Sequence, residues 1–292
     1  MDASIVILTK NAGQNFVSLL QHIMTQKFDG LYEVLVIDSG STDDTLRTAK
    51  EFPVKITQIE PEVFHHGKTR NLGAELSTGR ILVYITQDAL PINNDWLQKL
   101  ASNFKDPNVA MVIGRQIAWQ NTKPPEKFFY VHNFPEQKII VKPKSPSYYL
   151  DNVFISNVNS AIRKDVWQQF RFSETIIMAE DKEFANRILS AGWTIIYEPS
   201  AAVYHAHDLS LWSAFQRSLD FGICLRQGAG GLPKSRMSVV KREFKYLSAE
   251  LKYLHASGYL RWLPYSILYD TSRYLGLLLG KPGLVRRNQG QR

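Results

Sequence analysis

Ser4-Ile5-Val6-Ile7-Leu8-Thr9-Lys10-Asn11 and, after it, Glu33-Val34-Leu35-Val36-Ile37-Asp38-Ser39-Gly40-Ser41-Thr42-Asp43-Asp44-Thr45 decide the fold. Each is a continuous apolar run that ends in a polar cluster. A strand covered on both faces needs no alternation of apolar and polar residues, so both runs are expected as buried parallel strands. In open α/β sheets, ligands bind beyond the carboxyl ends of such strands. Asp38 stands at one of those ends, before a Gly-containing turn and a helix start. That is the architecture of a nucleotide site.

Outward from this pair, Phe16, Leu19, Leu20 and Ile23 recur at helical spacing and predict an amphipathic helix to about Gln26. Ser41-Thr42-Asp43-Asp44 has capping-box spacing and predicts a helix to about Phe52, with a strand from Val54 to Ile59 after it. A loop over 60–67 leads to a helix from Lys68 to Leu76, closed by Gly79. Ile81 to Ile85 is a further buried strand. Asn94 is placed to cap a helix from Asp95 to Phe104, and Val109 to Ile113 forms the next strand. Five of the chain's 13 prolines fall between Ala118 and Tyr149, where periodicity is lost. A long surface excursion, with the character of a lid, is expected there. Ser160 to Arg163, a helix from Ala179 to Ala191 stopped by Gly192, and strands through Thr194 to Tyr197 and Val203 to His207 complete the pattern. The βαβαβ succession predicts an α/β class with a doubly wound, mostly parallel sheet flanked by helices.

Composition narrows the functional classes. The single cysteine, Cys224, excludes an intramolecular disulfide framework and suits a reducing compartment, as a small buried hydrophobe. No stretch of about 18 uninterrupted apolar residues occurs, so no membrane span is expected, and the strand at the N-terminus argues against a secretory signal. The formal net charge is +8 overall but +9 over residues 233–292 alone, so the basic character belongs to the tail. Two domains are expected, 1–232 and 233–292, the second a basic, aromatic-rich helical extension. Its Lys241-Arg242-Glu243-Phe244-Lys245-Tyr246 and Tyr259-Leu260-Arg261-Trp262-Leu263 suit an anionic membrane surface, or equally packing on the catalytic domain or in a homodimer. Nucleic-acid binding is not expected, because its aromatics alternate with aliphatics as in packed helices.

Several side chains can carry chemistry. Asp38 can accept from a base N–H or ribose hydroxyl, and it equally suits a turn carboxylate that caps the next helix. The turn after the first strand, Lys10-Asn11-Ala12-Gly13-Gln14-Asn15, lacks the G-x-G-x-x-G of a dinucleotide fold, and no P-loop is present. His65-His66-Gly67-Lys68-Thr69-Arg70-Asn71 puts basic groups at a helix start, where anions bind. Asp88, in Thr86-Gln87-Asp88 beyond a buried strand, can hold a divalent cation that bridges phosphates. Glu180-Asp181 opens a helix, where the macrodipole favours acids and where a general base could also stand. His205 and His207, two apart on a strand, share a face and suit metal or phosphate contact.

Together, over Ser4 to Asp208, these segments resemble a family 2 inverting glycosyltransferase of the GT-A fold. Phe64-His65-His66-Gly67-Lys68-Thr69-Arg70-Asn71-Leu72-Gly73 and Ile85-Thr86-Gln87-Asp88-Ala89-Leu90-Pro91 are similar to its rhamnosyltransferase branch, whose donor is dTDP-β-L-rhamnose. The resemblance implies donor contacts from Thr9, Asn11, Asp38, Gly40, Arg70, Asn71 and Gln87. It implies a divalent cation, Mg or Mn, held by Asp88 and His205, and Asp181 as catalytic base, with Glu180 and His207 orienting it or touching the acceptor. Thr86 replaces the first acid of the family's Asp-x-Asp motif. The implied activity is transfer of L-rhamnose to a hydroxyl of a glycan or lipid-linked acceptor in bacterial cell-surface polysaccharide synthesis. The expected location is cytoplasmic, peripheral at the inner face of the membrane. A UDP-hexose donor and an inactive sugar-nucleotide-binding scaffold are the alternatives.

Overall fold

The computed structural model describes residues 1–143, 153–226 and 236–280. The first half contains β1 Ala3–Thr9, α1 Asn15–Met24, β2 Tyr32–Asp38, α2 Thr45–Lys50, β3 Lys55–Gln58, α3 His66–Leu76, β4 Ile81–Ile85, β5 Leu90–Pro91, α4 Trp96–Ala101 and β6 Val109–Ile117. It continues with α5 Pro124–Asn133, β7 Ile139–Val141, β8 Asn159–Arg163, α6 Lys164–Phe170, α7 Glu180–Ser190, β9 Thr194–Tyr204, α8 Leu211–Arg226, α9 Arg236–Ala256 and α10 Leu263–Leu279.

One sheet organises the chain, in the order β3-β2-β1-β4-β8-β6-β9-β5, with β7 paired to β9. β1 runs parallel to both β2 and β4, in register Ile5↔Val34 and Ile5↔Val83. β8 enters antiparallel between β4 and β6, and β6 and β9 are parallel again. The sheet is therefore parallel along its N-terminal half and mixed beyond.

Alternate β1 side chains feed opposite layers. Ile5 and Ile7 pack with Phe16, Leu19, Leu20 and Val36, whereas Val6 packs with Ile37, Tyr84 and residues of the other face. All three of these β1 residues are fully buried. Fully burying a side chain of this size contributes about 1.5–3 kcal/mol, which is why both faces are apolar without alternation.

Four local expectations are corrected. The stretch 118–149 is not an irregular excursion over its described part, since it contains α5 and β7. Pro124 and Pro125 occupy the first helical positions of α5, where the missing N–H costs nothing. Its periodicity is blurred because it is apolar on two sides. Tyr130 and Phe134 face the sheet core, while Phe128 meets Tyr246 and Tyr253 of α9 at 5.1 and 5.4 Å. Residues 144–149 of that stretch lie outside the described residues, as do the first and last residues of the 233–292 extension.

The capping box does not form. Ser41 Oγ serves Asp38 instead, and Asp43 accepts from Thr45 N at 3.0 Å. Asn94 is not the cap of α4 either; Asp95 takes that position without a side-chain bond. α3 ends at Leu76 with Ser77 extended, so Gly79 closes nothing, and its N–H donates to Ser4 Oγ at 2.8 Å.

α8 and α10 form a close pair. A Cβ on Gly276 would lie 2.4 Å from the Phe215 carbonyl oxygen, and one on Gly280 equally near that of Leu219. Only glycine lets these backbones approach so closely. Cys224 is free and buried, as expected of a small core residue.

Candidate active site

Strand direction places the site. The carboxyl ends of β1, β2, β4, β6 and β9 and the amino end of β8 all lie along one edge of the sheet. Every candidate side chain sits on that edge or on a helix that starts there.

At the β1–β2 end the two loops are cross-linked. Thr9 pairs with Asp38 in the ladder, and its Oγ1 donates to Asp38 Oδ2 at 3.0 Å. Asp38 is fully buried and also accepts from Ser41 Oγ at 2.5 Å and from the N–H groups of Gly40 and Ser41 at 3.1 and 2.9 Å. Gly40 makes the turn at φ +83°, a region open to glycine. Asn11 takes φ +48°, and its Oδ1 accepts from Thr42 N at 2.8 Å. Gln87 clamps Lys10 at two points, accepting from its N–H at 2.8 Å and donating to its carbonyl at 3.1 Å. These residues build one rigid wall beyond β1, β2 and β4.

Asn71 corrects an expectation. Its amide is buried and donates to Phe172 O and Glu174 Oε1, both at 3.0 Å, while its carbonyl accepts from Trp167 Nε1 and Phe172 N, both at 3.0 Å. Every polar position is taken, so Asn71 clamps the chain before α7 and has nothing to offer a donor. Arg70 is likewise turned inward, forming a buried ion pair with Glu180. Glu180 is thereby spent on holding α7 against α3.

Asp181 stands beside this pair. Ala179, just before α7, is held at φ +68°, a strained conformation for a residue with a Cβ. That turn sends Glu180 towards Arg70 and Asp181 towards the β8 entry, where Asp181 Oδ2 accepts from Asn157 N at 3.2 Å. Asp181 Oδ1 accepts from Lys182 N at 2.8 Å. Burial raises the Asp181 pKa, with Lys182 opposing and Glu180 assisting. The Lys182 ammonium donates to Ile155 O at 3.0 Å and lies 4.1 Å from the Phe154 ring centre.

The segment before β8 joins Asp181 to the β4 end. Asn157 holds Asp181, and the next residue, Val158, accepts from Thr86 N at 3.3 Å. Asp88 follows two residues later. His205 and His207 lie just past the end of β9 rather than on it, with ring centres 4.7 Å apart. Asp88 Oδ2 is 3.6 Å from His205 Nε2 and 3.7 Å from His207 Nδ1. The three ligand atoms lie within 4.8 Å of one another. These separations exceed a hydrogen bond, and His205 Nε2 is buried with no hydrogen-bond partner.

Two imidazoles and a carboxylate that converge without bonding to each other suit a divalent cation. Burial works against ionisation of Asp88, but His205 and then His207 outweigh it and hold its pKa low. Burial, assisted by Arg217 and His205, pushes His207 down to about 3, so it presents a neutral ring.

Three contributors escaped the sequence. Tyr130, on α5, puts its hydroxyl 3.3 Å from His205 Nδ1. Asn157 contributes through its backbone, which no side-chain pattern reveals. Arg217, exposed on α8, bears electrostatically on Tyr130, Lys182 and His207.

Comparison with known proteins identifies the family and the fold. The chain is 32% identical to the O-antigen chain rhamnosyltransferase RfbN of Salmonella typhimurium, over 96% of this chain and 90% of that protein. It is 31% identical to WbaN of Salmonella anatum, an O-antigen chain rhamnosyltransferase, over 95% and 89% respectively. Among solved structures, the mannosyltransferase PcManGT of Pyrobaculum calidifontis, in complex with GDP-Man and Mn2+, superposes with a TM-score of 0.62 at 18% identity. That match covers 94% of this chain and 86% of the other. Residues 1–349 of S. aureus TarS, in complex with UDP, give a TM-score of 0.58 at 16% identity, covering 95% and 89%. Residues 4–170 match the family described as Glycosyl transferase family 2, and the chain belongs to that family.

Proposed function

We propose that this chain transfers L-rhamnose from dTDP-β-L-rhamnose, with inversion, to a hydroxyl of a growing cell-surface polysaccharide. The observation that carries the choice of sugar is the likeness to two O-antigen chain rhamnosyltransferases over nearly the whole chain. Asp88, His205 and His207 would hold a Mg or Mn ion. Such an ion supplies charge neutralisation of the leaving diphosphate.

The chain's own residues do the rest. The wall carrying Asn11, Gly40 and Gln87, braced from within by the buried Thr9–Asp38 pair, receives the nucleoside end of the donor. Arg217 adds positive charge over the diphosphate. Asp181 takes the proton of the acceptor hydroxyl as that oxygen bonds to the anomeric carbon and the bond to the diphosphate oxygen breaks. Its buried, raised-pKa carboxylate is a stronger base than an exposed one. Arg70, Glu180 and Asn71 fix α7 so that Asp181 stays in place.

A thermal-shift panel of nucleotide sugars with Mn2+ tests the donor. Stabilisation by dTDP-rhamnose and none by UDP-hexoses is expected, with R217A needing about tenfold more ligand, as for a hydrogen bond to a charged group. Stabilisation by a UDP-sugar instead would replace rhamnose as the donor.

No helix of the described residues is long and apolar enough to cross a membrane. The C-terminal helices nevertheless expose Phe244, Leu260 and Leu268 together with Lys241, Lys245, Lys252 and Arg261. This mixture supports a peripheral site on an anionic membrane, where a lipid-linked acceptor would be reached. Each lysine near such a surface contributes about 1 kcal/mol. Replacing Lys241, Lys245 and Lys252 by Gln should therefore weaken co-sedimentation with anionic vesicles about 100-fold. Unchanged sedimentation would remove the membrane from the account.

A further inference from the structure

The Tyr130 hydroxyl is 3.3 Å from His205 Nδ1, and the two rings meet edge to face with centres 6.1 Å apart. Tyr130 is itself immobilised. It is buried, and its ring stacks on Phe134 with centres 5.9 Å apart and planes 20° apart. On the other side of the imidazole, Nε2 is buried, has no hydrogen-bond partner and faces Asp88.

A neutral imidazole carries one N–H. It can offer Nε2 to a cation only when that hydrogen sits on Nδ1, and the partner of Nδ1 decides which tautomer exists. We infer that Tyr130 is the positioning residue of the cation site: its phenol oxygen accepts a hydrogen bond from His205 Nδ1–H, which leaves the Nε2 lone pair for a cation held between His205 and Asp88. The assignment of the cation to Asp88 and the histidines is the reading this inference rests on.

The geometry explains why a tyrosine stands here. Phenylalanine would fill the same space against Phe134 but offer Nδ1 no acceptor. His205 would then be free to carry its hydrogen on Nε2, where it would oppose ligation. The arrangement also ties the site to the C-terminal helices. Phe129, the residue before Tyr130, lies under the Arg273 guanidinium of α10 at 5.7 Å, so α5 is held from both sides.

The test has two readouts on the full chain. The first is the tautomer of His205 in the metal-free protein, read from the 15N shifts of its ring. Wild type is expected to carry the hydrogen on Nδ1, and Y130F on Nε2. The second is Mn2+ affinity by calorimetry, expected to fall about 10–100-fold in Y130F, the usual cost of losing a partner of a metal-bound histidine. A thermal melt identifies a variant that has simply failed to fold, and the wild-type tautomer then decides alone. Hydrogen on Nε2 in wild type, or a folded Y130F with unchanged tautomer and Mn2+ affinity, would overturn the inference. If wild type binds no Mn2+, the cation assignment fails, while the tautomer still reports on Tyr130 itself.

Discussion

Asp181→Asn is expected to lower kcat by about 10²–10⁴-fold, the contribution of a positioned general base. Nucleotide affinity should not change, because Asp181 holds no part of the wall beyond β1 and β2. Wild-type kcat should rise with pH through the raised Asp181 pKa and then level off, and this acidic limb should vanish in the variant. The stability effect runs the other way. A carboxyl whose folded pKa is raised contributes stability only at low pH and loses it as pH rises through that pKa, so at neutral pH its charge is a cost. Asparagine removes the charge and can still accept from Asn157 N, so the melting temperature at pH 7 should hold or increase. Near-normal turnover by D181N would transfer the base role elsewhere.

Asp88→Asn should be comparably severe but different in kind. Asp88 is the one anionic member of the three-residue cluster, and it is kept ionised by His205 and His207. Losing its charge removes the anion that the two imidazoles would share in binding a cation. Cation stabilisation of a departing oxyanion contributes several kcal/mol, so kcat should fall by about 10³-fold. Mn2+ binding by calorimetry should weaken more than tenfold, whereas D181N should bind Mn2+ as wild type does. Unimpaired Mn2+ affinity in D88N would remove Asp88 from the cation site.

What the sequence discloses and what it hides follow from the range of each interaction. The buried strands are legible because continuous apolar runs report burial on both faces within five to seven residues. The ends of those strands locate Thr9, Asp38 and Asp88 without knowledge of packing. His205 and His207 are legible as a pair because two-residue spacing keeps side chains together even just past the strand. Arg70 and Asn71 look available in the sequence, since their partners are far away. Glu180 is 110 residues from Arg70, and Phe172 is 101 from Asn71.

The same distance hides Tyr130, which stands 75 residues before His205. Its helix is also masked by aromatics on two faces, Phe128 towards α9 and Tyr130 towards the sheet. Local propensity cannot separate such a helix from a loop rich in proline. The departure at Thr86 becomes intelligible once His205 and His207 are seen together, because the cluster then has three ligands without an acid at position 86.

The most direct test of the whole arrangement is a crystal of this chain grown with dTDP-rhamnose and Mn2+, measured at the manganese absorption edge. One strong anomalous peak is expected among Asp88 Oδ2, His205 Nε2 and His207 Nδ1, with the nucleoside on the wall beyond β1 and β2 and the sugar carbon facing Asp181. A nucleotide bound away from the wall of Thr9 and Asp38, or no manganese peak between Asp88 and the two histidines, would contradict it.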